Sequence, residues 1–138
     1  MRRTMIPIAV VMALVLAMSA GTALAATFVG TDGDDVLFGT NGPDEIQGLK
    51  GKDQLTGRGA TDRLHGGDNE DRVFGSGGND TVIGGRGQDI QRGGAGRDFL
   101  FAADGAADNL NCGTGRDRAV ADEKDTVSAN CERVTFAG

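Results

Sequence analysis

From Asp35 to Asp98 an aspartate stands at every ninth position: Asp35, Asp44, Asp53, Asp62, Asp71, Asp80, Asp89 and Asp98. Five residues before each stands a glycine: Gly30, Gly39, Gly48, Gly57, Gly66, Gly75, Gly84 and Gly93. Two residues after each stands an aliphatic side chain, Leu37, Ile46, Leu55, Leu64, Val73, Val82 or Leu100, with Gln91 the exception. A short fixed period constrains the fold strongly. Each unit is one structural step, too small to bury its apolar side chain alone and obliged to stack on its neighbours.

Aligned on the first glycine, the units read GTDGDDVLF, GTNGPDEIQ, GLKGKDQLT, GRGATDRLH, GGDNEDRVF, GSGGNDTVI, GGRGQDIQR and GGAGRDFLF. Positions one to six carry turn chemistry, because glycine permits positive φ and close backbone approach. Positions seven to nine alternate as a minimal strand, with the aliphatic at position eight pointing inward. One turn and one strand reverse the chain, so two units make a coil of about 18 residues. The expected fold is all-β, a right-handed two-sheet parallel solenoid with odd-numbered turns on one edge and even-numbered turns on the other. Position nine faces outward and holds Phe38, His65, Phe74 and Phe101.

The segments flanking the repeats read differently. Residues 1–25 have the form of a cleaved secretory leader: Arg2 and Arg3, an apolar run from Ile8 to Ala20, and the small-x-small site Ala23-Leu24-Ala25. The run falls short of the roughly 20 residues that span a bilayer. Residues 26–102 are the repeat domain. After Phe101 the register slips, since Asp98 to Asp108 is ten residues, and Cys112-Gly113-x-Gly115-x-Asp117 resumes the spacing. Residues 103–138 read as degenerate repeats forming a cap over the last apolar rung and the open strand edges. Cys112 and Cys131 are the two cysteines of an exported chain and read as a disulfide within that cap.

Loss of Arg2 and Arg3 with the leader takes the formal net charge from −6 to about −8. Neither a phosphate backbone nor an acidic lipid surface is attracted to such a chain, so nucleic acid and anionic membrane are excluded as partners and cations are favoured. With 24 glycines, six Phe and neither Trp nor Tyr, the chain cannot build an ordinary core, and something else must supply cohesion.

The nonapeptide resembles the calcium-binding repeat of the RTX, or hemolysin-type, family, G-G-x-G-x-D-x-U-x with U a large aliphatic. Gly84-Gly85-Arg86-Gly87-Gln88-Asp89 and Gly93-Gly94-Ala95-Gly96-Arg97-Asp98 match its turn in full. The resemblance implies a parallel β-roll with calcium ions held between turns 18 residues apart by position-six carboxylates and turn carbonyls. It implies ligands at Asp35, Asp53, Asp71 and Asp89 along one edge and Asp44, Asp62, Asp80 and Asp98 along the other. Leu49, Lys50, Lys52 and Arg58 put bulk or positive charge into turns three and four, which weighs against the sites that include Asp53 or Asp62.

Physics points the same way. Carboxylates stacked about 4.8 Å apart repel by about 1 kcal/mol in water and about 3–4 kcal/mol at an effective dielectric of 20. A hard divalent ion accepting six to eight oxygens in flexible geometry reverses that term, and calcium suits carbonyl-lined gaps better than magnesium. Metal binding and folding would then be one event, at the sub-millimolar to millimolar affinity usual for extracellular modules.

The expected function is therefore extracellular calcium binding by a non-catalytic repeat protein. One alternative is a calcium-dependent extracellular enzyme acting on polysaccharide, but the coils are short and imply no groove. Another is a surface- or ice-binding solenoid, which needs a uniform Thr or Asn row; position three instead runs Asp, Asn, Lys, Gly, Asp, Gly, Arg, Ala. His65 is the only histidine, so a Ser-His-Asp site has little support. Asp32, Asp34 and Asp35 cluster without completing an EF-hand loop.

Overall fold

The computed structural model describes residues 24–138, so the leader expected over 1–25 lies outside the described residues except for Leu24 and Ala25. The described residues form thirteen strands and no helix. They are β1 (Ala26–Val29), β2 (Val36–Phe38), β3 (Asp44–Lys50), β4 (Gln54–Arg58), β5 (Arg63–Asp68), β6 (Arg72–Gly77) and β7 (Thr81–Arg86). The chain continues through β8 (Ile90–Ala95), β9 (Phe99–Phe101), β10 (Asn109–Thr114), β11 (Arg118–Ala121), β12 (Thr126–Val127) and β13 (Arg133–Phe136). Odd-numbered strands make a seven-stranded sheet and even-numbered strands a six-stranded one, each in chain order. All pairings are parallel, so the chain winds as the expected two-sheet solenoid, one sheet visited per unit.

The register is 18 residues per coil: Leu37 lies opposite Leu55, which lies opposite Val73, while Ile46, Leu64, Val82 and Leu100 align in the facing sheet. The extra residue before Asp108 is absorbed in the turn between β9 and β10. It lengthens the coil to 19 residues (Ile90 opposite Asn109, Phe99 opposite Arg118) without breaking either sheet. Later coils shorten, and residues 103–138 continue both sheets through β12 and β13.

Position eight supplies the core. Leu37, Ile46, Leu55, Leu64, Val73, Val82, Leu100, Leu110 and Ala119 are all buried, with Phe28 closing the row at the first coil. Each aliphatic rung contributes roughly 1.5–3 kcal/mol by burial, a thin core at one rung per nine residues. Gln91 occupies the same row and is fully buried; its Nε2 donates to the Phe101 carbonyl oxygen at 3.0 Å, at the point where the chain leaves its nine-residue register.

One expectation is corrected. The strands are longer than positions seven to nine and run on through positions one to three of the next unit, as β7 and β8 do. Position-one glycines belong to the ladder: the Gly30 N–H donates to the Gln47 carbonyl and the Gly39 N–H to the Thr56 carbonyl, both at 2.8 Å. Pairing extends to Gly67 opposite Gly85 and Asp68 opposite Arg86. Alternation therefore turns position one inward, one step beyond position nine, and only glycine leaves that inner space free.

Cys112 takes the place of a position-one glycine and is bonded to Cys131, with both sulfurs inside the roll. Closing this loop should stabilise the chain by about 3 kcal/mol in the loop-entropy account. A Cys112→Ser, Cys131→Ser variant is expected to lose about that much in denaturant unfolding with calcium present; an unchanged midpoint would mean the last coils contribute little to the cooperative unit.

Candidate metal centre

The aspartates do not point out from the turns. Each carboxylate curls back into the roll, and Asp35, Asp44, Asp53, Asp62, Asp71, Asp80, Asp89, Asp98, Asp108 and Asp117 are all 4% exposed or less. For Asp35 to Asp98 the space entered is the one left by the position-one glycine of the same unit; Asp108 and Asp117 have Ala103 and Cys112 at that place. A Cβ on Gly75 would stand 2.5 Å from Asp80 Oδ2 and 2.6 Å from the Gly93 carbonyl oxygen, and one on Gly93 would stand 2.5 Å from both Asp98 Oδ2 and the Cys112 carbonyl oxygen. The invariant pairing of glycine at position one with aspartate at position six is thus one steric unit. Glycine is bare so that the carboxylate can fold over it.

Each carboxylate has two different oxygens. Oδ1 accepts the backbone N–H of the aspartate one coil earlier: Asp35 donates to Asp53, Asp53 to Asp71, Asp71 to Asp89 and Asp89 to Asp108, at 2.7–2.8 Å. Along the other edge Asp44 donates to Asp62, Asp62 to Asp80, Asp80 to Asp98 and Asp98 to Asp117, at 2.8–2.9 Å. The structure therefore brings together the two expected rows of four and extends them by Asp108 and Asp117. Those two were expected only as part of the cap; the Gly113-x-Gly115-x-Asp117 spacing was the signal that could have placed Asp117 with the others.

Oδ2 has no hydrogen-bond partner in Asp53, Asp62, Asp71, Asp80, Asp89, Asp98, Asp108 and Asp117, though it is buried in all eight. A buried polar atom without a partner costs roughly 1–3 kcal/mol, more when charged. Burial is the main reason that Asp71, Asp80, Asp89 and Asp108 are pushed from 3.8 up to about 7, and Asp53, Asp62 and Asp98 up to about 6. The N–H from the preceding coil pulls each value back down, and neighbouring carboxylates raise it further.

Main-chain oxygens stack beside the carboxylates. Positions two and four adopt positive φ from the third turn onward, at Leu49, Arg58, Gly67, Ser76, Gly85 and Gly94, and at Gly51, Ala60, Asn69, Gly78, Gly87 and Gly96. A Cβ on Gly87 or Gly96 would collide with the carbonyl of Asn69 or Gly78 one coil earlier, so the turn carbonyls form close columns. Among the described residues no three acidic, histidine or cysteine side chains converge on one point. A cation here would be completed by carbonyls, and carboxylate plus carbonyl is an all-oxygen, hard-donor set that fits calcium.

The positive side chains of turn three lie elsewhere. Lys50 Nζ pairs with Asp32 at 3.1 Å and Lys52 Nζ with Glu70 at 2.7 Å, all four side chains exposed on the odd turn edge. They do not enter the inner row, and Asp53 and Asp62 are placed like their neighbours. His65 is exposed on the outer sheet face.

The RTX calcium-binding nonapeptide repeat family, described as four copies, matches residues 29–64 and again residues 56–91. Residues 29–91 are RTX repeats. Membership implies that these repeats bind calcium, and the parallel roll is the form in which they stack. No curated protein and no solved structure matches the chain.

Proposed function

We propose that the protein is an extracellular, non-catalytic calcium-binding repeat protein in which ion binding and formation of the roll are coupled. The observation that carries this reading is the set of eight buried Oδ2 atoms without a partner, one per coil on each edge. Asp53, Asp71, Asp89 and Asp108 would serve one edge and Asp62, Asp80, Asp98 and Asp117 the other, with turn carbonyls completing each shell. Bound calcium would supply charge neutralisation. The chain itself supplies pre-set oxygens, held by the N–H of the preceding coil and by glycine turns.

Export is supported by the leader-like residues 1–25 and by the Cys112–Cys131 bond, which belongs in an oxidising compartment. Ala26, the expected new N-terminus, is the first residue of β1 and donates to the Pro43 carbonyl and to Asp44 Oδ1. The non-catalytic reading is supported by the surface chemistry: His65 stands outside, and the open cleft beside Asp35, Asp53 and Asp71 is lined by no histidine, serine or cysteine.

Equilibrium dialysis of the mature chain against calcium, with magnesium in a parallel cell, tests the binding. Several ions per chain with calcium strongly preferred are expected; no uptake above background would sink the reading. N-terminal sequencing of the protein recovered from culture medium tests the export, with Ala26 expected at or next to the first cycle.

A further inference from the structure

The turns of the solenoid fall into two classes, and the division follows position along the roll. In the first two, position two is Thr31 or Thr40 rather than a residue with positive φ. The Thr31 N–H and Oγ1 both donate to Asp35 Oδ2, and the Thr40 N–H and Oγ1 both donate to Asp44 Oδ2. Each threonine Oγ1 also accepts a backbone N–H, from Gly33 at 3.1 Å and from Gly42 at 3.0 Å, which closes the loop on itself. From turn three to Asp117 the same oxygen is buried without a partner. At the far end of the odd edge the closed form returns. Asp125 Oδ1 accepts the Asp108 N–H at 2.9 Å, and its Oδ2 accepts the Asp122 N–H at 2.7 Å.

We propose that the turns of Asp35, Asp44 and Asp125 take no ion, and that the metal-dependent stretch is internal, bounded by turns in which the chain itself holds the Oδ2 that the coils between leave bare; at Asp35 only Oδ1, which has no preceding aspartate to receive an N–H from, is left without a partner. The inference rests on the calcium reading above and narrows it. An oxygen already holding a main-chain N–H and a hydroxyl has little left to offer a cation. A position-two residue outside the positive-φ region also directs its carbonyl differently from those of the later turns. Thr31 and Thr40 are therefore the residues that set where the ion column starts.

The test uses the full mature chain and calcium itself, counted by equilibrium dialysis in wild type, Asp35→Asn, Asp71→Asn and Asp80→Asn. An asparagine fits at position 35 because the buried Oδ1 there accepts no N–H: the amide can turn its oxygen toward Thr31 and put its NH2 in the Oδ1 position without displacing a donor. At positions 71 and 80 the amide oxygen keeps the N–H of Asp53 or Asp62, so these variants retain the ladder bond. Asp35→Asn is expected to bind as many ions as wild type, while Asp71→Asn and Asp80→Asn each lose at least one. Loss of an ion in Asp35→Asn as well would overturn the proposal and leave the calcium reading standing. An unchanged count in all three variants would remove the aspartate rows as ligands, and both conclusions with them.

Discussion

Replacing Asp62, Asp71 and Asp80 together with asparagine is expected to let the roll form without calcium at pH 8. In the native chain Oδ2 of each and a carbonyl oxygen of the next coil both border the space beside a bare glycine: Gly75 O for Asp62, Gly84 O for Asp71 and Gly93 O for Asp80. Oδ2 has no donor there. An asparagine puts an N–H donor in that place and keeps Oδ1 for the N–H of the preceding coil. Each substitution thus removes a buried charge and satisfies a buried atom, for roughly 1–3 kcal/mol per position. Thermal unfolding in EDTA, followed by circular dichroism, reads the effect. The triple variant should melt cooperatively where wild type shows no transition, and should gain less from added calcium. A triple variant disordered with and without calcium would mean the carboxylates are needed for something other than ion binding.

Acid is expected to replace calcium in part. The buried aspartates have folded-state values of about 6 to about 7 against an ordinary 3.8, so the folded chain holds protons that the unfolded chain releases. A group raised on folding contributes stability that is complete below its unfolded value and is lost as pH rises through its folded value. In EDTA the roll should therefore be most stable below about pH 4, weaken steadily as pH rises from there through about 6 to about 7, and be gone at pH 8. With saturating calcium the order reverses, because the ion requires the ionised carboxylates and protons compete with it. A β spectrum in EDTA that strengthened from pH 5 to pH 8 would contradict the buried placement of these carboxylates.

Much of this was legible in the residues, and the limits are instructive. The period of nine, with one inward aliphatic per unit, dictates coils of two units and rows Leu37–Leu55–Val73 and Ile46–Leu64–Val82, and these are the rows that pack. The single extra residue before Asp108 was visible as a slip, and it is a longer turn in an otherwise continuous sheet. The inward direction of the aspartates was harder to read. It depends on the turn folding back over position one, which looked like turn glycine and is strand glycine. The role of Gln91 was also out of reach, because its partner, the Phe101 carbonyl, is brought near only by the register slip. Thr31 and Thr40 stood in plain view at position two, but a hydroxyl there reads as ordinary turn chemistry until the carboxylate it holds is located.

In the proposed reading the buried aspartate rows are a calcium centre, and filling it forms the roll. Far-UV circular dichroism of the mature chain at pH 8 tests it most directly, through a calcium titration with magnesium as control and EDTA to reverse it. The expected result is a disordered spectrum that turns to β with calcium alone, at a sub-millimolar to millimolar midpoint. A β spectrum that neither EDTA nor refilling with calcium alters would contradict it, and would leave the aspartates as turn formers held by the N–H ladder.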